Sequence, residues 1–98
     1  MKLLLRPAAA ADAEAAYRWY EHQRVGLGEE FLAAVRRTLK TITDHPAGYP
    51  VIHRETRRAL VRRFPYAVFY RLVGEQVVVV ACMHARRSPH RWRRRLDG

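Results

Sequence analysis

The residues most able to act on an anion lie in the second half of the chain. His84 closes the most apolar run of the sequence and stands beside Arg86 and Arg87. A histidine there suits a general acid or base, or a contact to phosphate. More often such a residue is a strand-end ring that hydrogen-bonds the backbone. The pairs Arg62–Arg63 and Arg86–Arg87 supply guanidinium forks that can converge on one group. Several cations together, without a metal, can stabilise a pentacovalent phosphate. The same forks also suit a solvated surface that faces an acidic partner. Trp92, between Arg91 and Arg93, offers either a stacking platform for a base or an anchor against the protein's own sheet.

Other chemistries find no residues. Glycine-rich phosphate loops, paired cysteines and a nucleophile elbow are all missing from the sequence. Ser88 is the single serine and has no base and orienting acid around it. Cys82, the single cysteine, sits inside an apolar run and reads as a small core residue. It cannot form an intrachain disulfide, which fits a reducing compartment. The five histidines show no clustered ligand spacing, so no metal and no cofactor are expected. No catalytic residue is assigned from these residues alone.

The elements that must position these groups follow from hydrophobic period. Residues 57–64, 66–73 and 76–84 are rich in β-branched and aromatic side chains, broken by Pro65 and by Gly74-Glu75. They predict a three-stranded antiparallel meander. The middle and last strands are apolar on both faces, which places them centrally. Residues 2–5 add a short N-terminal strand. Pro7 then opens a helix over 8–24, with Ala9, Ala13, Ala16 and Tyr20 on one thin apolar stripe. Asp12 and Glu14 lie near its start, on the side the helix dipole favours. After Gly26-Leu27-Gly28, Phe31, Val35, Leu39 and Ile42 mark a second helix over 29–43. Asp44-His45-Pro46 stops it, and residues 47–56 read as a loop. The expected fold is α+β: an N-terminal strand, a two-helix hairpin, the meander, and a basic C-terminal tail. One sheet face meets the hairpin, and the other is left apolar and rimmed by arginine, as docking surfaces are.

At 98 residues the chain is expected to be one domain spanning 1–98. No apolar run approaches the ~20 residues of a membrane span, and Arg6-Pro7 cuts the leading leucines short, so a cytoplasmic protein is expected. The net charge of +10 is lopsided. Residues 1–49 hold seven basic and six acidic side chains, whereas residues 50–98 hold twelve and three, giving +1 and +9. Seventeen of the nineteen basic residues are arginine, the side chain suited to forked bonds with carboxylate or phosphate. Such a half expects an anionic partner: RNA, DNA or an acidic protein segment.

Two stretches carry a family resemblance across essentially the whole chain. They are Arg63-Phe64-Pro65-Tyr66-Ala67-Val68-Phe69-Tyr70-Arg71 and Val79-Val80-Ala81-Cys82-Met83-His84-Ala85-Arg86-Arg87-Ser88-Pro89, with the ending His84-x-x-Arg87-x-Pro89-x-x-Trp92. Together with the strand, hairpin and meander layout, this resembles the RelE/ParE superfamily of bacterial type II toxins. The resemblance implies two branches. RelE-like toxins cleave messenger RNA at the ribosome with basic residues on the sheet and an aromatic near the C-terminus. ParE-like toxins poison DNA gyrase and lack that set. Arg58, Arg62 and Arg86 fall where RelE-like toxins place basic residues, and Trp92 falls near their aromatic. Leu60 and Ala67, however, stand at two positions where that branch places charge, and the His-x-x-Arg ending is similar to the ParE branch. The resemblance therefore implies a ParE-like gyrase inhibitor neutralised by a cognate acidic antitoxin. Its contacts to target or antitoxin would be Arg62, Arg63, Arg71, Arg86, Arg87 and Trp92. The alternative is a metal-free, ribosome-dependent mRNA endoribonuclease using Arg58, Arg62, His84, Arg86 and Trp92. A non-toxic basic nucleic-acid-binding module is the third reading.

Overall fold

The computed structural model describes residues 1–86 and 89–97. The chain runs β1 (Lys2–Leu5), α1 (Pro7–Gln23), α2 (Leu27–Asp44), β2 (Val51–His53), β3 (Thr56–Leu60), β4 (Tyr66–Val73), β5 (Gln76–His84) and α3 (Pro89–Asp97). Five strands form one sheet in the order β1-β5-β4-β3-β2. β1 runs parallel to β5, with Leu3 beside Val77 and Leu5 beside Val79, and the remaining neighbours are antiparallel. The α+β architecture and N-terminal strand are as expected, but the three-stranded antiparallel sheet is not. The meander is the centre of a five-stranded mixed sheet. β2 lies within the stretch read as a loop, where three residues after Gly48 and Pro50 give too short a pattern to register. The basic tail is likewise a helix over its described part, from Pro89 to Asp97.

The helix hairpin forms where the apolar period places it. Ala9, Ala16 and Tyr20 of α1 and Phe31, Ala34, Val35 and Ile42 of α2 are buried. Close approach of the two helices depends on Gly28, where a Cβ would stand 2.8 Å from the Tyr17 carbonyl oxygen and 2.7 Å from its ring. Gly26 turns the chain with φ of 91°, a left-handed conformation that glycine adopts without steric cost. Glu21 then caps α2 from the neighbouring helix, accepting the N–H groups of Gly26 at 2.9 Å and Gly28 at 3.0 Å. Its charge also sits at the positive end of the α2 dipole.

The sheet separates two apolar clusters. On the hairpin side, Ala59, Val61, Val68, Tyr70, Val77, Val79 and Cys82 join the helices in the main core. On the other side, Ala67, Phe69, Val78, Val80 and Ala81 pack with Trp92 and Leu96 of α3. Alternation in β5 slips once, because Phe69 pairs with Ala81 while Tyr70 pairs with Val79. This irregularity turns both Val80 and Ala81 toward α3. The apolar face that the sequence left uncovered is thus covered from within the chain.

A methyl group at Gly28 meets both the Tyr17 ring and the Tyr17 backbone carbonyl, and the carbonyl cannot swing aside. Gly28→Ala should therefore lower unfolding free energy by about 1–3 kcal/mol in urea titrations, the usual cost of overpacking. Gly26→Ala should cost about 1 kcal/mol through its left-handed backbone. Wild-type stability in the Gly28 variant would refute the tight hairpin contact.

Candidate functional site

Four of the sequence-selected residues gather at one end of the sheet. There β3 ends, β4 begins and β5 finishes, so the 61–65 turn lies beside residues 84–86. The Val61 N–H donates to the Tyr66 carbonyl at 2.8 Å and closes the turn. Phe64 anchors it from within, its ring 5.0 Å from Tyr20 and 5.3 Å from Phe31. Arg63 adopts φ of 74° at the turn's centre and places Nη2 3.5 Å from Glu30 Oε1. Glu30 also accepts Arg24 Nη2 at 2.9 Å, and that hydrogen bond, more than Arg63, holds its carboxyl below the usual range. Arg62 stands exposed beside this pair.

Across the turn, the Ala85 N–H donates to the Pro65 carbonyl at 2.8 Å, carrying the β4–β5 ladder past His84. This extension sets Arg86 at the same end, exposed to solvent. The Arg86 N–H in turn donates to His84 Nδ1 at 3.1 Å, so that nitrogen carries no proton in this arrangement. The His84 ring packs against Tyr66 at 5.5 Å between centroids.

A cleft of about 560 Å³ opens next to this end, between α1 and the sheet. Asp12, Ala16, Trp19, Tyr20, Pro65, Tyr66, Cys82, Met83 and His84 line it. Trp19 is 58% exposed at its lip and meets Tyr20 edge-on at 5.1 Å. Cys82 reaches the cleft floor but is no nucleophile. Burial, reinforced by the Asp12 charge, pushes its thiol up to about 12.

The remaining sequence-selected residues lie elsewhere. Arg58 pairs with Phe69 and Leu60 with Ala67, and directly opposed residues share a sheet face. Arg58 and Leu60 therefore lie on the α3 face, whereas His84, opposite Tyr66, lies on the hairpin face. Trp92 is buried, its ring 5.7 Å from Phe69. Arg71 binds within the fold, donating from Nε to Thr56 Oγ1 at 2.9 Å and from Nη2 to the Leu96 carbonyl at 2.8 Å. Arg87 lies outside the described residues.

Sequence reasoning missed the charged contacts that seat α3. Asp12, expected to serve the α1 dipole, accepts a fork from Arg95 at 3.0 and 2.8 Å and the Cys82 N–H at 3.0 Å. His53 Nε2 lies 2.8 Å from Asp97 Oδ1, with Arg54 Nε 3.6 Å from the same oxygen. The hydrogen bond to His53 chiefly holds the Asp97 carboxyl below its ordinary value of 3.8. The hydrogen bonds among these contacts span 44 to 83 residues of sequence, and local spacing carries no sign of them.

A family model described as ParE toxin of type II toxin-antitoxin system, parDE, matches residues 3–89. The chain belongs to the ParE toxin family. Among solved structures, this ParE-family chain is similar to one from "Chromosomal ParDE TA system from P. aeruginosa". The TM-score is 0.66 at 23% identity, covering 86% of this chain and 95% of that one, a likeness of fold. No curated protein matches. The family match ends at residue 89, where α3 begins, so most of that helix lies beyond it. Among the described residues of this ParE-family toxin, no helix is long and apolar enough to cross a membrane.

Two outcomes test this geometry. Because the fold lowers the Asp97 pKa, the stabilisation it provides is complete above its ordinary value and disappears as pH falls through the lower folded value. In a Trp19→Phe background, Trp92 emission should shift red through a step below about pH 4, and Asp97→Asn should remove that step. Cys82 should resist iodoacetamide in the folded toxin at neutral pH and react fully in denaturant. Rapid alkylation of the folded chain would contradict the buried, neutral thiol.

Proposed function

We propose that this ParE-family toxin arrests growth in the cytoplasm by inhibiting DNA gyrase through surface contacts, and that a cognate acidic antitoxin restrains it. Residues 1–98 act as one toxin domain in this reading. The observation that carries it is the dispersal of the groups an RNA-cleaving site would need to bring together. Metal-free phosphoryl chemistry requires its cations to converge on one phosphate, since each supplies charge stabilisation only at short range. Arg62, His84 and Arg86 share one end of the sheet, but Arg58 lies on the opposite face from His84. Trp92 is buried against Phe69. Leu60, 63% exposed, and Ala67, fully buried, add no charge at the two further positions.

The same end of the sheet suits the antitoxin. A segment that folds on binding needs a concave apolar seat and charged contacts around it. The cleft beside Trp19 supplies the seat, and Arg62, Arg63 and Arg86 supply the cations. The second sheet face, which the sequence leaves open for this role, is occupied by α3.

Purified toxin should inhibit gyrase supercoiling and leave messenger RNA intact on translating ribosomes. Ribosome-dependent cuts abolished by Arg86→Ala would overturn the reading in favour of an endoribonuclease. An inert chain with no effect on growth and a steep salt dependence for nucleic acid would favour a plain binding module. For the antitoxin seat, Trp19→Ala should weaken binding of the cognate antitoxin about tenfold or more while leaving Tm near wild type. Unchanged affinity would place the antitoxin elsewhere.

A further inference from the structure

A second concave space, of about 260 Å³, opens at the sheet edge where β1 gives way to α1. Four arginines line it: Arg6 from the β1–α1 junction, Arg71 from β4, and Arg94 and Arg95 from α3. Its other lining residues among those described are Ala8, Val80 and Leu96, so no carboxylate lies among the described residues around it. Arg95 is balanced by Asp12, and Arg71 has committed Nε and Nη2 to Thr56 and Leu96. Arg6 and Arg94 make no ion pair among the described residues and are exposed. The fold therefore brings arginines from three separate parts of the chain to line one small space and leaves two of them without an ion pair among the described residues. Like charges that line one small space repel, and an anion between them lowers that cost.

The backbone adds to this in the same sense. Ala8, in the first turn of α1, reaches the space, and α1 has neither a side-chain cap nor an acidic residue in that turn. α2 differs on both counts: Glu29 and Glu30 occupy its first turn, and Glu21 caps it. The positive end of the 17-residue α1 is thus unneutralised where the arginines converge. A tetrahedral oxyanion suits such a set, because it can accept forked bonds from several directions at once. The volume admits one phosphate with room for the first atoms of an ester substituent.

We propose that this pocket binds a small phosphoryl anion, either free phosphate or the terminal phosphate of a small phosphomonoester. Binding would link the start of α1 to α3 across the sheet edge. Arg94, Arg95 and Leu96 lie beyond residue 89, so this site combines the family fold with a helix outside the family match. It is independent of the gyrase and antitoxin readings.

Thermal unfolding and titration calorimetry of the full chain provide the test. The probes are sodium phosphate and a nucleoside 5′-monophosphate, each against sodium chloride at equal ionic strength. Phosphate should raise Tm saturably and give measurable heat. Arg6→Ala and Arg94→Ala should each weaken binding about tenfold, whereas Arg58→Ala should leave it unchanged. Both altered side chains are exposed, and Arg94→Gln, which keeps the stem, confirms that any loss comes from the charge. Competition by the monophosphate would identify the ester as ligand; binding of phosphate alone would identify the free anion. Equal effects of chloride and phosphate would overturn the site, as would undiminished phosphate binding in both alanine variants. Binding of duplex DNA without any saturable phosphate effect would overturn it too, by assigning the cations to a polyanion.

Discussion

The Asp12 carboxylate does the work of a missing strand. β1 pairs with β5 only as far as Val79, so among the described residues the outer edge of β5 from Val80 onward has no strand beside it. A buried backbone N–H on such an edge needs an acceptor, and Asp12 provides one for Cys82. The carboxylate is only 18% exposed and requires a counter-charge, which Arg95 supplies as a two-pronged donor from α3. One side chain therefore joins α1, the open edge of β5 and the helix on the opposite sheet face. Charge-assisted bonds of this kind contribute about 1.5–3 kcal/mol each, and leaving the carboxylate without Arg95 would cost more than the pair gains.

That contact explains how α3 can exist at all. Nine residues fall short of the about 12–15 at which an isolated helix becomes marginal, and four of these nine are arginines. Only Trp92 and Leu96 bury apolar surface. Docking must therefore draw on polar anchors, and they come from two strands and a helix: Arg71 binds the Leu96 carbonyl, His53 binds Asp97, and Asp12 binds Arg95. Arg93 lies 5.4 Å from the Trp92 ring and shields its outer side. Covering the second sheet face in this way removes the exposed apolar patch that both central strands would otherwise present.

This division of labour also decides what could be read from the sequence. The helices, β4 and β5 were legible because burial imposes a period, and Phe31, Val35 and Ile42 follow it. β1 was legible as a strand, but its parallel partner lies more than seventy residues away, and Leu3, Leu4 and Leu5 are all partly exposed. β2 is three residues long, below the length at which alternation means anything. α3 left one faint sign, the four-residue spacing of Trp92 and Leu96, submerged in arginines that read as tail. For the site, His84, Arg62, Arg63 and Arg86 were legible as a group because a hairpin and a short turn bring them together. The place of Arg58 on the other face was not legible, since a residue's face depends on register, and a shift of one position reverses it.

The arginine excess has a corresponding double meaning. Forked donors suit anionic partners, yet several of these forks are spent on the fold's own oxygens. Arg57 donates to the carbonyls of Ala47 and Tyr49 and fixes the chain after α2, beside the Tyr70 hydroxyl bonded to the Pro46 carbonyl. Arg71 ties β4 to Thr56 and Leu96, and Arg95 ties α3 to Asp12. Lysine, a single flexible donor centre, could not bridge two acceptors with the same rigidity. Net charge therefore overstates the cationic surface left for partners. What remains includes two pairs at the sheet's borders: Arg62 and Arg86 at the end near the Trp19 cleft, and Arg6 and Arg94 at the β1 edge, all exposed. The two groups lie on different borders of the sheet, so each can meet its own anion without displacing the other.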